Sequence, residues 1–206
     1  MLMGRSPSRE NIMSSVSVTR LSPREYLERE RKAEFRHEYI DGFVYPLYEG
    51  HGRSKAGPPG THSLLTANLR GEIAVRLRGR TGVVYGGDLR VAVDPERYYT
   101  YPDVVLVAGD VMVADEEDDI HLNPTAVIEV LSPMTEADDR GRKFAMYRRL
   151  ATVQEYVLVS QDRVAVERYA RSGYLWVLTD FDDLGATLRL DSMALEVPLG
   201  EIYRET

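Results

Sequence analysis

The sequence predicts an α/β (α+β) fold: a mixed β-sheet flanked by helices, with extra antiparallel strands toward the N-terminal and C-terminal ends. Three observations lead there. Val104-Val105-Leu106-Val107 and Ala126-Val127-Ile128-Glu129-Val130-Leu131 are short β-branched runs bounded by Pro and polar residues, the pattern of buried strands. Leu65, Leu69, Ile73 and Leu77 recur every four residues, the pattern of a helix buried on one face. The order from His62 onward is helix, strand, strand, strand, helix, strand and a β-rich tail, without an internal repeat.

The elements follow from local chemistry. Residues 1–17 are polar, rich in Ser and Arg, and read as a flexible leader ahead of a single domain over 18–206. Ser22-Pro23-Arg24-Glu25 is a capping box with Pro at the first helical position, so a short helix should run to about Lys32. Asp41-Gly42 between two apolar-containing runs predicts a hairpin. Glu49 to Gly60 carries Gly50, Gly52, Gly57, Pro58 and Pro59 and reads as a flexible loop; it lacks the Gly-Lys-Ser/Thr ending of a phosphate-binding loop. His62 to Leu77 is the first long helix, with Thr61 or Ser63 as its cap and Arg76, Arg78 and Arg80 suiting its negative end.

Val83 to Val93 reads as one strand kinked at Gly86-Gly87, with Asp88 as a turn residue. Asp94-Pro95-Glu96-Arg97 is turn chemistry, after which the strand carrying Asp103 returns. The acidic run Asp115 to Asp119 lacks the ligand spacing and central Gly of a calcium loop and reads as a solvated surface loop. Thr135 with Asp138 suggests a second capping box for a helix from Glu136 to Leu150, with Phe144, Tyr147 and Leu150 facing inward. Strands are expected at Glu155 to Val159, parallel to the Glu129 strand, and at Arg163 to Tyr169 and Tyr174 to Leu178. One or two weaker strands should lie between Thr187 and Tyr203.

Composition bounds the chemistry. A chain of 206 residues can bury a sizeable core, and the absence of cysteine excludes disulfides and thiolate metal sites. No apolar run reaches membrane-span length and the N-terminus lacks a signal-peptide core, so no membrane is expected and the cytoplasm is the default. The formal net charge of -7 argues against a uniformly basic nucleic-acid-binding surface but leaves room for a local basic patch.

Two carboxylates stand out. Asp103 and Glu129 both sit in runs that read as central strands, where a charge must be paired or metal-bound. Side by side, such strands aim both carboxylates at one point, and a hard divalent cation takes oxygen ligands of this kind. Lys143 shares a helix face with Tyr147 and can bring a positive charge to the same point. The plainer alternatives are a turn cap for Asp103, an ion pair of Glu129 with Arg90 or Arg142, a surface lysine at Lys143, a solvated Glu38 and a core histidine at His62. Tyr98, Tyr99 and Tyr101 suit packing on the sheet better than base stacking.

The ordered set of motifs resembles the PD-(D/E)XK nuclease superfamily, and within it the Uma-two family of restriction-endonuclease-like proteins. It comprises His37-Glu38-Tyr39-Ile40-Asp41-Gly42, Tyr101-Pro102-Asp103-Val104-Val105, Val127-Ile128-Glu129-Val130-Leu131-Ser132-Pro133, Asp139-Arg140-Gly141-Arg142-Lys143 with Tyr147, and Gln154-Glu155-Tyr156-Val157. The resemblance runs from about Val18 to Trp176. It implies a restriction-endonuclease-like fold and a metal-dependent endonuclease acting on nucleic acid, DNA foremost. Asp103, Glu129 and Glu38 would be the ligands of Mg2+ or Mn2+, and Lys143 the catalytic cation, with His62, Asp88 and Tyr147 in support. Arg90, Arg140 and Arg142 would meet flanking phosphates. The superfamily's lysine two residues after the second carboxylate is replaced here by Leu131, so the resemblance assigns its task to Lys143 on the following helix. A homodimer is also expected, from exposed strand edges in the tail. Two other functions compete: a non-catalytic binding or assembly module on the same fold, and a metal-dependent hydrolase of small phosphate substrates.

Overall fold

A computed structural model describes residues 20–47 and 60–206. The leader over 1–17 and residues 49–59 of the expected loop lie outside the described residues; Gly60 opens a helix instead.

Helix α1 (Pro23–Glu30) begins with the expected capping box, Ser22 and Glu25 each accepting from the other's backbone N–H. The hairpin β1 (His37–Ile40) and β2 (Phe43–Pro46) turns at Asp41 and Gly42, both at positive φ (50° and 94°), which explains an Asp-Gly pair at that point. Helix α2 (Gly60–Leu77) buries Leu65, Leu69, Ile73 and Leu77 as its periodicity predicts. The expected caps Thr61 and Ser63 lie inside it.

The next segment corrects the reading of one kinked strand. It is two strands, β3 (Val83–Gly86) and β4 (Arg90–Asp94), and they belong to different sheets. The Gly86-Gly87 turn is where the chain crosses between them. β4 joins β5 (Tyr98–Thr100), β1, β2 and the two-residue β7 (Ile120–His121) in a five-stranded sheet ordered β2-β1-β5-β4-β7. Strands β6 (Val104–Val107), β8 (Ala126–Leu131), β9 (Glu155–Ser160), β10 (Val166–Ser172) and β11 (Leu175–Phe181) join β3 in the main sheet, ordered β11-β10-β9-β8-β6-β3. β8 and β9 pair in parallel and the other neighbours antiparallel, so the sheet is mixed as expected.

The crossover from β8 to β9 is not one regular helix. It runs through α3 (Glu136–Asp138), a π-helical segment over Asp139–Lys143, and α4 (Phe144–Tyr147), ending short of Leu150. The expected capping box at Thr135 is absent; the Ser132 hydroxyl accepts from the Thr135 N–H instead (3.2 Å). The tail forms a hairpin of β12 (Thr187–Leu190) and β13 (Leu195–Pro198), closed by α5 (Leu199–Ile202).

Period-two alternation gives the main sheet two apolar faces. Val104, Leu106, Ala126, Ile128 and Val130 meet α2 and the tail hairpin. Val105, Val107, Val127, Leu131, Tyr156 and Leu158 meet β4, Met146 and Tyr147. A third cluster, with Tyr26, Tyr39 and Tyr99, seats α1 on the five-stranded sheet. Tyr99 and Tyr101 are buried, as their packing role requires.

Candidate active site

The antiparallel register of β6 and β8 pairs Val104 with Ile128. One step further along, it sets Asp103 opposite Glu129, both on the face toward the π segment. Asp103 therefore stands just ahead of its strand, not within it as the sequence suggested. Its N–H donates to Glu129 Oε2 (3.3 Å), and its Oδ2 accepts from the Val130 N–H (2.8 Å). His62, at the start of α2, comes within 3.2 Å of the same oxygen through Nε2.

Lys143 arrives from the crossover. Its ammonium donates to Glu129 Oε1 (3.2 Å) and lies 2.9 Å from Asp139 Oδ1 and 3.8 Å from Glu38 Oε1. Glu38 comes from β1, whose alternation turns Tyr39 to the aromatic cluster and Glu38 the other way. Tyr147 is fully buried and shares a short hydrogen bond with the Thr100 hydroxyl (2.7 Å). The Tyr156 hydroxyl donates to the Asp139 carbonyl (2.9 Å), tying the π segment to the sheet.

Burial grades across the cluster. The side chain of Glu129 is 3% exposed and that of Lys143 8%, whereas Asp103 is 20% exposed and forms the open side. Carboxylates outnumber cations around Lys143. Burial, with the Asp139 and Asp103 charges, pushes Glu129 well above the usual carboxylate range although Lys143 opposes it. Burial opposes the charge on Lys143, yet Glu129, Asp139 and Glu38 together hold its ammonium protonated well above its ordinary value. For His62, burial works downward, and the Asp103 hydrogen bond and charge outweigh it to give a raised value. Among the described residues the buried oxygens Glu38 Oε1 and Asp139 Oδ1 meet the Lys143 ammonium as ion pairs and have no aligned hydrogen bond.

Asp103, Glu129, Lys143, Glu38, His62 and Tyr147 thus meet in one place. Of the other expected residues, Arg142 touches the cluster through Glu38 and the rest lie away from it. Arg90 is enclosed in the second sheet, its Nε donating to the Tyr101 hydroxyl (2.8 Å) and its Nη1 to Asp119 (3.1 Å), with its guanidinium carbon 5.8 Å and 5.4 Å from the ring centres of Tyr26 and Tyr101. Arg140 pairs with Glu136 and Glu167. Arg142 pairs with Asp138 and, at 3.4 Å, with Glu38. Asp88 is solvent-exposed and pairs with Arg36. The acidic loop is less free than expected, since Asp115 and Asp119 both bind Arg31.

Although they are neighbours, Asp103, Glu129 and Glu38 do not form a three-carboxylate metal set: among the described residues no group of three His, Asp or Glu is placed to hold one metal ion. Glu38 instead faces Arg142 and Lys143. Asp103 and Glu129 alone suit Mg2+, which takes one or two carboxylates and completes its shell with water and substrate oxygens. The surplus of buried carboxylate over cation suits an added positive charge. Asp139 was missed as a member of this cluster. Its position four residues before Lys143 on one helix was the available signal.

A family model described as Uma2, putative restriction endonuclease, matches residues 23–199. Two uncharacterized proteins of Synechocystis sp. are similar along nearly their whole length. One is 30% identical over 185 residues, 89% of this chain and 100% of its own. The other is 32% identical over 192 residues, 92% of this chain and 95% of its own. The fold is that of the crystal structure of a putative nuclease belonging to DUF820 from Anabaena variabilis: TM-score 0.70 at 20% identity, covering 89% of this chain and 97% of that one.

Proposed function

The chain belongs to the Uma2 family, and on that premise we propose that it is a metal-dependent endonuclease that hydrolyses phosphodiester bonds of nucleic acid, DNA foremost. The observation that carries this reading is the meeting of Asp103 and Glu129 beside the buried Lys143 ammonium.

In this reading Asp103 and Glu129 hold Mg2+ or Mn2+. The ion, when bound, neutralises charge on the phosphate and lowers the pKa of an attacking water. The protein's own groups do the rest. Lys143 is kept charged by its neighbours and offers that charge to the reacting phosphate or water. Asp139 and Glu38 hold the ammonium in place from two sides. His62 fixes Asp103 by its shared hydrogen bond, and Tyr147 packs beneath the pair. A cation so enclosed is pre-oriented, which is what electrostatic catalysis requires. The displaced lysine is compensated by geometry: Leu131, at the superfamily's lysine position, is buried in the apolar face.

We place the enzyme in the cytoplasm; no helix among the described residues is long and apolar enough to cross a membrane. A homodimer is part of the same proposal. The tail hairpin does not supply its edge, because Leu188, Leu190, Leu195 and Val197 are buried. β11, the outer strand of the main sheet, exposes Leu175, Val177 and Leu178 and is the better candidate.

The decisive experiment pairs manganese calorimetry with nicking of supercoiled DNA. Wild type should bind the ion and nick, while Asp103→Asn and Glu129→Gln should do neither. Folded wild type that binds no divalent ion and cuts neither DNA nor RNA would defeat the proposal and leave a binding or assembly module.

A further inference from the structure

Of the three arginines expected to meet phosphates, Arg90 and Arg140 are engaged away from the cluster and Arg142 is held between Asp138 and Glu38, yet an anionic strand approaching an acidic cluster needs further cations beside it. The crossing from β3 to β4 has them. Gly86 pairs with Val104 at the start of β6, one residue from Asp103. A methyl group built on Gly87 would stand 3.8 Å from the Asp103 Cα, so this turn runs beside the Asp103 backbone, on the edge of β6 opposite β8.

Two guanidinium groups flank the turn. Arg70, on the exposed side of α2, reaches across Gly86: a methyl group there would stand 3.2 Å from Arg70 Nη1 and 3.5 Å from its Cδ. Arg70 has no hydrogen bond or ion pair among the described residues. It follows His62 and Thr66 at four-residue intervals, so one helix face carries the Asp103 partner at one end and an uncommitted cation two turns on. From the other side, Arg36 Nη1 donates to the Gly87 carbonyl (3.2 Å), and the guanidinium lies over the Tyr101 ring (5.6 Å). Its ionic partner, Asp88, is 88% exposed, and so exposed a pair exchanges readily for a better anion.

We infer that Arg70 and Arg36 seat a phosphate of the substrate strand that flanks the one cleaved, with the Gly86-Gly87 turn as the floor of that seat. This deepens the endonuclease reading and rests on it. A side chain at 86 would crowd Arg70 Nη1, at 3.2 Å from the added methyl, which suits a glycine there. A phosphate held here brings its neighbour along the strand toward Asp103 and Glu129. The seat reads backbone, not bases, so it carries no sequence preference.

The test is cleavage of a fluorescein-labelled DNA duplex of mixed sequence in manganese, with KM measured over a range of salt concentrations. Arg70→Ala should raise KM on the order of tenfold and more than it lowers kcat. It should also flatten the plot of log(1/KM) against log salt by about 0.9, the loss of one phosphate contact. Arg70→Lys should recover part of both, and Arg36→Lys should weaken KM without moving the melting temperature. Arg189→Ala, on the exposed side of the tail hairpin, should match wild type throughout. An Arg70→Ala enzyme with wild-type KM and salt slope overturns the seat while the endonuclease reading stands. A wild-type protein that cuts no nucleic acid overturns both.

Discussion

At the scale of single residues, burial decides what a charge is worth. Lys143 is enclosed by Glu129, Asp139 and Glu38, so removing its charge leaves carboxylates uncompensated in a low-dielectric site. Lys143→Met keeps most of the stem volume and should lower stability by about 3–5 kcal/mol in chelator, measured by urea denaturation. Millimolar manganese should restore part of that loss, because a bound cation then offsets the same carboxylates. An unchanged midpoint would mean that the ammonium does not balance the cluster. His121 is the opposite case. It is buried on β7 with its ring edge-on to Tyr85, and burial depresses its pKa below 6.5, with Asp118 only partly opposing. The unfolded chain therefore takes up this proton before the folded one does. Stability from this site is fully present above pH 6.5 and falls as pH drops through the depressed folded value. Denaturation series at neutral and mildly acidic pH should show a smaller acid-induced loss in His121→Gln than in wild type.

At the scale of elements, the crossover between β8 and β9 shows how tertiary contacts reshape a helix. Periodicity placed Phe144 and Tyr147 inward, and they do pack on Tyr156. Periodicity could not reveal the π segment over Asp139–Lys143, which buries Asp139 and Lys143 together and widens the turn between them. Tyr156 and Glu129 hold that segment from the sheet, so its form does not depend on Gly141. A methyl group at Gly141 meets nothing within 4 Å, and its φ is not positive. Gly141→Ala should thus stabilise the fold by about 0.5–1 kcal/mol through the unfolded chain and leave cleavage intact. Loss of activity with a raised melting temperature would instead mean that glycine maintains the π register.

At the scale of the whole molecule, two sheets, one long helix and the crossover converge on the acidic cluster. Asp103 and Glu129 come from the main sheet, Glu38 from the second sheet, His62 from α2 and Lys143 from the crossover. A divalent ion bound there bridges elements distant in sequence and should raise the melting temperature of wild type in millimolar manganese, but not that of Asp103→Asn. In the proposed homodimer the outer edge of β11 is the contact. Val177→Lys places a charge on that exposed strand and should convert a dimer to a monomer by light scattering, with the melt of the isolated subunit little changed.

The local and periodic features were legible in the sequence because each is decided within a few residues. Ser22 with Glu25 caps a helix by short-range hydrogen bonds, Asp41-Gly42 turns a hairpin by its own φ angles, and the four-residue spacing of Leu65 to Leu77 needs only a face to bury. The carboxylates Asp103 and Glu129 stood out for the same reason, as charges in apolar runs. Only the tertiary structure decided which distant groups meet them. β3 and β4 part into two sheets at Gly86-Gly87 because each finds its own partner strand, and no local signal names a partner. Asp139 joins the cluster and Arg90 leaves it for the same reason: a side chain's neighbours depend on how sheets stack, and stacking is settled by the burial of whole faces rather than by any residue's own chemistry.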